Sequence, residues 1–408
     1  MRLRDARSSL KPLLRHGGLD SHLEVIRYPC ETRRAVGRST LLFGQVDRRV
    51  NRPSAGEESL SSSVPSQLRR CQKTTECDVT VDDNGEGKKN KKRALPNLNK
   101  NSVSTPKVSA EAEAAAAVFV EHVKMQGVEG LRREFADLKG YVAANSESNF
   151  FKNNEIRNRY KDVMCMDSTR VILTLNVPPE TDYIHANWVR LDGLPKPFIA
   201  TQGPLDTTIS DFWRMIHQEG IGSILMLCKV EEAGKPKCAQ YWPLEQGAYQ
   251  TYGSMFVSNK KVEKEDTRFV SYTLEVLPEG CSNSTVTRLH QMLDWPDRGV
   301  PVSAMSVLRL AKCISPSSPC VVHCSAGIGR TGTIIAMETI LARIMKGQIV
   351  KINEIFKQIR DCRASSIQTE GQYVFLHLCV LFYIGAKIKK HVPTMNSFHE
   401  EFKKAGLN

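Results

Sequence analysis

Long apolar runs are missing from this chain of 408 residues. The longest, Leu378 to Ala386, is far shorter than the ~20 apolar residues that a membrane-spanning helix needs. The amino-terminal region also lacks the apolar core of a secretory signal peptide. We therefore expect no integral membrane segment and a protein of the cytoplasm.

Cysteine and histidine are nowhere grouped at the spacing of a zinc site, although the chain has 12 cysteines and 10 histidines. The cysteines are scattered along a long chain, which is typical of free thiols in a reducing compartment rather than of a disulfide scaffold. Internal repeats are absent as well. We expect no metal, no cofactor and a single copy of the folded domain.

Sustained apolar periodicity is also missing before about residue 108. Residues 1–110 carry 22 of the 57 Lys and Arg residues but only 12 of the 44 Asp and Glu residues, and so hold most of the formal net charge of +13. A segment this polar cannot bury enough apolar surface to fold. The sequence predicts a basic, low-complexity disordered arm over 1–108, a folded domain over 109–392 and a short polar tail over 393–408.

One basic run in the arm, Lys88 to Arg93, has several interpretations. It is typical of a nuclear-import signal, of a segment that contacts nucleic acid or an anionic membrane, and of a solvated tail, which we favour. The arginine- and serine-rich start of the arm also resembles an organellar transit peptide, but its acidic residues argue against one. A nuclear location and these contacts stay open.

What the sequence does have is a short motif from Val322 to Gly332, VHCSAGIGRTG. The apolar run Cys320 to Val322 before it predicts a buried strand, and apolar residues at helical spacing after it predict a helix. The motif therefore joins a strand to a helix N-terminus, where unpaired backbone N–H groups and the helix dipole bind anions. Its glycines let the loop curl so that these groups point inward.

Cysteine and arginine at the two ends of this loop indicate nucleophilic attack on phosphorus. Only the thiolate is a good nucleophile, and the loop amides, the helix dipole and the Arg330 guanidinium all favour the ionised form of Cys324. Arg330 is also suited to hold two phosphoryl oxygens in a bidentate fork. The alternative is an inert buried thiol beside a turn that the glycines merely shape.

Residues His323 to Gly332 resemble the signature loop of the protein tyrosine phosphatases, in particular the tyrosine-specific, non-receptor-type enzymes with a single catalytic domain. The resemblance implies a cysteinyl-phosphate mechanism without a metal. We expect His323 to tune the nucleophile through hydrogen bonding and the Thr331 hydroxyl to donate to its sulfur. The loop residues expected to bind the phosphoryl group are Ser325, Ala326, Gly327, Ile328 and Gly329.

A second motif, WPDRGVP from Trp295 to Pro301, carries a carboxylate between a proline and a glycine. The mechanism needs an acid to protonate the leaving phenolate and then a base to activate water, and one carboxylate on a mobile lid can serve both steps. Asp297 resembles the general acid of the family.

Three further segments resemble the family's substrate-binding and supporting residues. In Arg157 to Val163, Tyr160 would form the wall of a slot too deep for phosphoserine or phosphothreonine, and Asp162 would accept hydrogen bonds from the peptide backbone. In Ile367 to Tyr373, the first glutamine would orient the attacking water and the second would contact the phosphate. These two glutamines are Gln368 and Gln372. Glu232 resembles the carboxylate that fixes the signature arginine by a salt bridge.

Apolar periodicity gives a coarse fold of the α/β class. Helices over 112–124 and 128–138 flank a break at Gly127, strands occupy Ile224 to Cys228 and Phe269 to Val276, and the chain after Gly332 is mostly helical to about residue 389. The resemblance implies a highly twisted mixed β-sheet flanked by α-helices.

Two function classes follow from these residues. The first is an enzyme that dephosphorylates phosphotyrosine proteins, and the second is a module of the same fold that binds phosphotyrosine with little or no turnover. Inactive relatives usually lose the nucleophile, the arginine or the acid, whereas all three are present here. A dual-specificity or phosphoinositide-directed enzyme is disfavoured by Tyr160.

Overall fold

The fold is that of a computed structural model, which describes residues 108–264 and 266–407. Residues 1–107 of the predicted disordered arm, including Lys88 to Arg93, lie outside the described residues. The helices are α1 (Ala110–Leu138), α2 (Asn149–Lys152), α3 (Ile209–Gln218), α4 (Ala304–Ala311), α5 (Gly329–Met345), α6 (Ile352–Cys362), α7 (Glu370–Lys387) and α8 (Val392–Lys404). The strands are β1 (Arg170–Ile172), β2 (Tyr183–Val189), β3 (Phe198–Thr201), β4 (Ser223–Met226), β5 (Glu231–Glu232), β6 (Lys235–Pro236), β7 (Tyr249–Tyr252), β8 (Met255–Glu263), β9 (Phe269–Pro278), β10 (Thr285–Met292) and β11 (Cys320–His323).

Nine strands form one mixed sheet in the order β1-β2-β3-β11-β4-β10-β9-β8-β7. The centre is parallel, because β11 pairs in parallel with β3 and β4, and β4 pairs in parallel with β10. The outer pairs are antiparallel, and β5 and β6 form a separate hairpin. The predicted α/β fold with a mixed sheet flanked by helices is confirmed.

Helices cover both faces of the central strands. Val322 of β11 and Leu225 of β4 belong to one apolar core together with α1 and α4 to α8, whereas Val321 and Ile224 point into a second core that contains α3. Alternate residues of a strand point to opposite faces, so a strand buried on both faces is apolar throughout. Burying one such side chain contributes about 1.5–3 kcal/mol, which fixes the strand that precedes the motif loop.

The predicted break at Gly127 is confirmed. This residue has a φ of 58° and interrupts α1, which is otherwise helical from Ala110 to Leu138. The left-handed conformation suits glycine because a Cβ would be strained there. The backbone N–H of Val128, which follows the break, donates to Glu401 Oε1 of α8 at 2.7 Å. The break is therefore connected to α8 by a hydrogen bond.

The carboxyl-terminal segment differs from the predicted polar tail over 393–408. It forms α8, whose Phe398 and Phe402 are buried against α1 and α7. Pro393 lies in the first turn, where its missing N–H costs no hydrogen bond. Two aromatic side chains four residues apart thus anchor a segment whose other residues are mostly polar.

The chain after Gly332 is mostly helical, as predicted, because α5, α6 and α7 follow one another. The longest apolar run of the sequence lies in α7, which packs against α1, α5 and α8. Across residues 108–264 and 266–407, none of the helices combines the length and the apolar composition needed to cross a bilayer.

Candidate active site

The motif loop from Cys324 to Ile328 connects the central strand β11 to α5. Gly327 has a φ of 71°, and a Cβ at this position would lie 2.0 Å from the carbonyl oxygen of Thr201. Only glycine fits there. The turn brings the Gly327 N–H to the Cys324 sulfur, to which it donates at 3.3 Å. The sulfur of this buried cysteine therefore lies inside a curled loop at a helix N-terminus.

A cleft of ≈ 690 Å³ opens at Cys324. All the predicted motifs contribute to its walls, although they are far apart in the sequence. The predicted site residues that line the cleft are Tyr160, Asp162, Asp297, Cys324, Ser325, Ala326, Gly329, Arg330, Gln368 and Gln372. The predicted residues Glu232, His323, Gly327, Ile328 and Thr331 are not among its lining residues, and Glu232 touches Arg330 from the side.

Arg330 in the first turn of α5 has three partners. Its Nη1 donates to the Leu227 carbonyl at 2.8 Å, and its two terminal nitrogens pair with the two Glu232 oxygens at 2.6 Å each. Nη2 also donates to Asp297 Oδ1 at 2.8 Å. Burial alone would lower the pKa of the guanidinium, but the Glu232 hydrogen bonds and the charge of Cys324 outweigh burial and raise it. Arg330 is thus a fixed, permanent cation beside the cleft.

Asp297 lies on a tight turn that is stabilised by its neighbours. The Trp295 indole N–H donates to the Gly299 carbonyl at 3.0 Å, and the buried Trp295 ring packs edge-on against Phe375 of α7. Arg298, which follows the acid, has a left-handed φ of 58°. A non-glycine residue in this conformation is typical of functional turns. The carboxylate that follows the anchored indole is therefore held over the cleft, where it is 42% exposed.

Two cations contact the Asp297 carboxylate. Lys237 Nζ donates to Oδ2 at 2.6 Å, and Arg330 donates to Oδ1. Partial burial raises the pKa of Asp297, but the hydrogen bonds from Lys237 and then Arg330 outweigh it, so the pKa lies below its ordinary value. The same contact raises the pKa of Lys237. No role was predicted for Lys237 from the sequence.

Replacing Lys237 with methionine is expected to raise the pKa of Asp297, because the carboxylate loses the cation that stabilises it. If Asp297 must be protonated to act as an acid, kcat/KM falls as the pH rises through its pKa. The decline should therefore move to higher pH in Lys237→Met, as measured in a pH profile of kcat/KM. Lys260→Met on β8, which removes an ion pair with Glu275, serves as the control and should leave the profile unchanged. An unshifted profile in Lys237→Met would contradict the assignment of this decline in kcat/KM to Asp297.

Tyr160 forms one side of the cleft. Its hydroxyl donates to Ser325 Oγ at 2.8 Å, and Ser325 in turn donates to the Lys237 carbonyl at 3.0 Å. The Arg159 side chain donates to the carbonyls of Gly203 and Pro204, at 2.9 and 2.6 Å. The hydroxyl of Tyr160 and the side chain of the preceding residue are therefore both held by hydrogen bonds. Asp162 is exposed on the same side.

The segment that carries the two glutamines is held by its own backbone. Gln372 Oε1 accepts the backbone N–H groups of Gln368 and Thr369, at 3.0 and 3.3 Å. Ile367 has a left-handed φ of 59°, which is a strained conformation for a β-branched residue, and its N–H donates to the Ile328 carbonyl at 3.1 Å. Gln368 is exposed and its side chain makes no hydrogen bond with the residues that the structure describes. Its position therefore depends on the backbone around it.

Two buried arginines, one in α6 and one at its C-terminal end, support the loops, and no role was predicted for them from the sequence. Arg363 donates to the Gly327 and Ala326 carbonyls, at 3.0 and 2.9 Å. Arg360 donates to the Ser366 carbonyl at 3.0 Å, next to Ile367 with its strained backbone. The sequence contained a signal for this supporting role, because both arginines continue the apolar face of α6. An arginine in an apolar stripe indicates a buried partner rather than a solvated surface.

His323 is fully buried behind Cys324. Its Nε2 accepts from the Tyr241 hydroxyl at 2.8 Å, so Nδ1 carries the hydrogen and donates to the Cys324 carbonyl at 3.2 Å. Burial lowers the pKa of His323 to about 4, which makes the ring neutral at physiological pH. The histidine thus contacts the backbone of Cys324.

The predicted hydrogen bond from the Thr331 hydroxyl to the Cys324 sulfur is not formed. Thr331 Oγ1 is buried and has no hydrogen-bond partner among the described residues. The sulfur accepts from the Gly327 N–H instead. The carbonyl one helical turn before Thr331 belongs to Gly327, and it already accepts a hydrogen bond from Arg363.

Known proteins are similar to this chain over most of the described residues. The family model for protein-tyrosine phosphatase matches residues 154–382, more than half of the chain. Mouse receptor-type tyrosine-protein phosphatase eta is 36% identical over 273 residues, which are 63% of this chain and 21% of that protein. Human tyrosine-protein phosphatase non-receptor type 9 is 35% identical over 286 residues, which are 64% of this chain and 48% of that protein.

A Caenorhabditis elegans Lar-like tyrosine-protein phosphatase is 36% identical over 300 residues, which are 71% of this chain and 13% of that protein. The chain therefore spans less than half the length of each of these relatives, which include both receptor and non-receptor proteins. The region matched by the family model contains the motif loop (Cys324 to Ile328), the acid turn (Trp295 to Pro301) and the glutamine segment (Ile367 to Tyr373). This chain belongs to the protein-tyrosine phosphatase family.

Proposed function

We propose that this chain hydrolyses phosphotyrosine in proteins through a cysteinyl-phosphate intermediate. The observation that carries the proposal is the convergence of a thiol, a fixed arginine and a carboxylate on one cleft, where Arg330 Nη2 lies 2.8 Å from Asp297 Oδ1. A nucleophile, an anion-binding group and a proton donor within reach of one reacting atom are the parts that phosphoryl transfer requires.

The first step transfers the phosphoryl group to the enzyme. The Cys324 thiolate attacks phosphorus, so that an S–P bond forms as the P–O bond to tyrosine breaks. Arg330 and the loop amides hold the phosphoryl oxygens, and the Glu232 ion pair keeps the guanidinium oriented. Asp297 gives its proton to the leaving phenolate oxygen.

The second step releases inorganic phosphate. A water molecule oriented by Gln368 attacks phosphorus, and the Asp297 carboxylate accepts its proton. The O–P bond forms as the S–P bond breaks, which returns Cys324 as a thiolate. Gln372 of the same segment, whose amide lies beside Gly329, would contact the phosphate.

The position of Tyr160 in the lining of the cleft supports selection of phosphotyrosine. With Tyr160 as a wall, a phosphotyrosine ring can stack while its phosphorus reaches the sulfur, whereas phosphothreonine is too short. We expect a phosphotyrosine peptide to be hydrolysed with a kcat/KM at least about 10²-fold above that of the matched phosphothreonine peptide. Tyr160→Ala should lower kcat/KM for phosphotyrosine by about 10- to 100-fold, because the stacking surface is lost.

The exposed Tyr249 on the edge strand β7 offers a matched control, and Tyr249→Ala should leave the selectivity unchanged. Equal rates on the two peptides would contradict the phosphotyrosine assignment. Peptide binding without release of phosphate would favour the alternative, a phosphotyrosine-binding module with little or no turnover.

The proposal places the protein in a reducing compartment, the cytoplasm, where it would act in phosphotyrosine signalling. The nine cysteines that the structure describes are all free thiols, which supports this environment. A nuclear location, or contact with nucleic acid or an anionic membrane, would depend on the basic run from Lys88 to Arg93, which lies outside the described residues.

A further inference from the structure

Arg132 of α1 connects three parts of the chain that are far apart in the sequence. Its Nε lies 2.8 Å from Glu370 Oε1, at the start of α7, and its Nη2 donates to the Ala405 carbonyl at the end of α8, at 3.2 Å. Its Nη1 pairs with Glu129 one turn earlier. Glu370 lies two residues after Gln368. The guanidinium thus supports the glutamine segment from outside the cleft.

The carboxyl-terminal segment completes this support. Phe398 and Phe402 anchor α8 in the core, and Glu401 binds the backbone at the Gly127 break of α1. Beyond the helix, the Leu407 side chain reaches Gly371, since a Cβ on that glycine would lie 3.9 Å from Leu407 Cδ2. Helix α1 therefore meets the first turn of α7 through an ion pair, and the segment that follows α8 meets it through an apolar side chain.

The glutamine segment has reason to depend on this support. The Gln368 side chain is exposed and makes no hydrogen bond within the described residues, and Ile367 before it holds a strained backbone conformation. Asp297, in contrast, has two contacts of its own, with Lys237 and Arg330. A disturbance at Glu370 should thus displace the group that orients water more than the group that donates the proton.

We propose that Arg132 is a positioning residue for hydrolysis of the cysteinyl-phosphate, acting through Glu370 on the backbone that carries Gln368. This inference rests on the proposed function and assigns a role to α1 and α8 in its second step. An ion pair at a partly exposed position contributes little to stability, so its effect is expected on geometry rather than on folding. A displacement of about 1 Å in a catalytic group is sufficient for a large kinetic effect.

The two steps are separated by measuring kcat, kcat/KM and the fraction of enzyme trapped as phosphoenzyme by acid quench. Because kcat/KM covers the steps up to P–O cleavage, Arg132→Ala should lower kcat by about 5- to 20-fold while kcat/KM changes by less than about 2-fold. The trapped phosphoenzyme fraction should rise. Glu370→Gln, which removes the same ion pair from the other side, should show the same separation of kcat from kcat/KM.

Arg133→Ala is the matched control, since Arg133 is the next residue of α1 and is exposed. It should leave all three quantities unchanged. Equal losses in kcat and kcat/KM in Arg132→Ala and Glu370→Gln, or an unchanged phosphoenzyme fraction, would overturn the role of Arg132 and leave the proposed function intact. If the wild-type chain forms no phosphoenzyme, the proposed function and this inference both fail.

Discussion

Cys324→Ser is expected to lower turnover by roughly 10⁴-fold or more while phosphotyrosine binding is retained. A serine hydroxyl at this position has no general base, because the neighbouring His323 is buried and its Nδ1–H contacts the Cys324 carbonyl. The loop amides and Arg330, which bind the phosphoryl group, are left in place. Turnover is measured with a phosphotyrosine peptide, and the dissociation constant is measured by calorimetry.

The dissociation constant of Cys324→Ser should equal or fall below that of the wild type. A neutral hydroxyl does not repel the phosphate dianion as a thiolate does. Cys281→Ser provides a matched control, since Cys281 is exposed outside the cleft, and it should keep wild-type turnover. Turnover by Cys324→Ser above about 1% of wild type would exclude this cysteine as the nucleophile.

The second large effect is expected for Asp297→Ala, which should slow phosphotyrosine hydrolysis by about 10²–10⁴-fold and prolong the bound state. Without the carboxylic acid, the phenolate must leave unprotonated. The loss should therefore shrink for aryl phosphates whose phenols are more acidic, because their leaving groups need less protonation. A plot of log kcat/KM against the pKa of the leaving phenol should be steeper in the variant than in the wild type.

Asp294→Asn is the control on the same loop, where Asp294 pairs with Arg268 at 2.9 Å. It should retain the shallow dependence of the wild type. A parallel loss for every leaving group in Asp297→Ala would mean that Asp297 shapes the loop without donating a proton.

The central part of the fold was predictable from local patterns. Cys320 to Val322 is apolar without alternation because β11 is buried on both faces, and the helical spacing of Ile334, Met337, Leu341 and Ile344 follows the buried face of α5. Both signals lie within a few residues of the motif loop. The chemistry of that loop could therefore be assigned to a strand and a helix N-terminus before the structure was known.

Interactions between distant segments were not predictable in the same way. The carboxyl-terminal segment has few large apolar residues, so its helix became evident only from Phe398 and Phe402 in the core. The partners of Arg363 are carbonyl groups of Ala326 and Gly327, and no side-chain pattern encodes a carbonyl. The Lys237 ion pair with Asp297 likewise depends on how the β5–β6 hairpin lies beside the acid turn.

The shared contact between Asp297 and Arg330 has a consequence for the protonation of the enzyme. A phosphate dianion that pairs with Arg330 meets a carboxylate on the same guanidinium, and the repulsion between the two anions favours the protonated form of Asp297. In the proposed mechanism, binding of the substrate would then be coupled to proton uptake by the group that must donate a proton in the next step. The charge of the substrate thereby generates the acid that its own cleavage consumes.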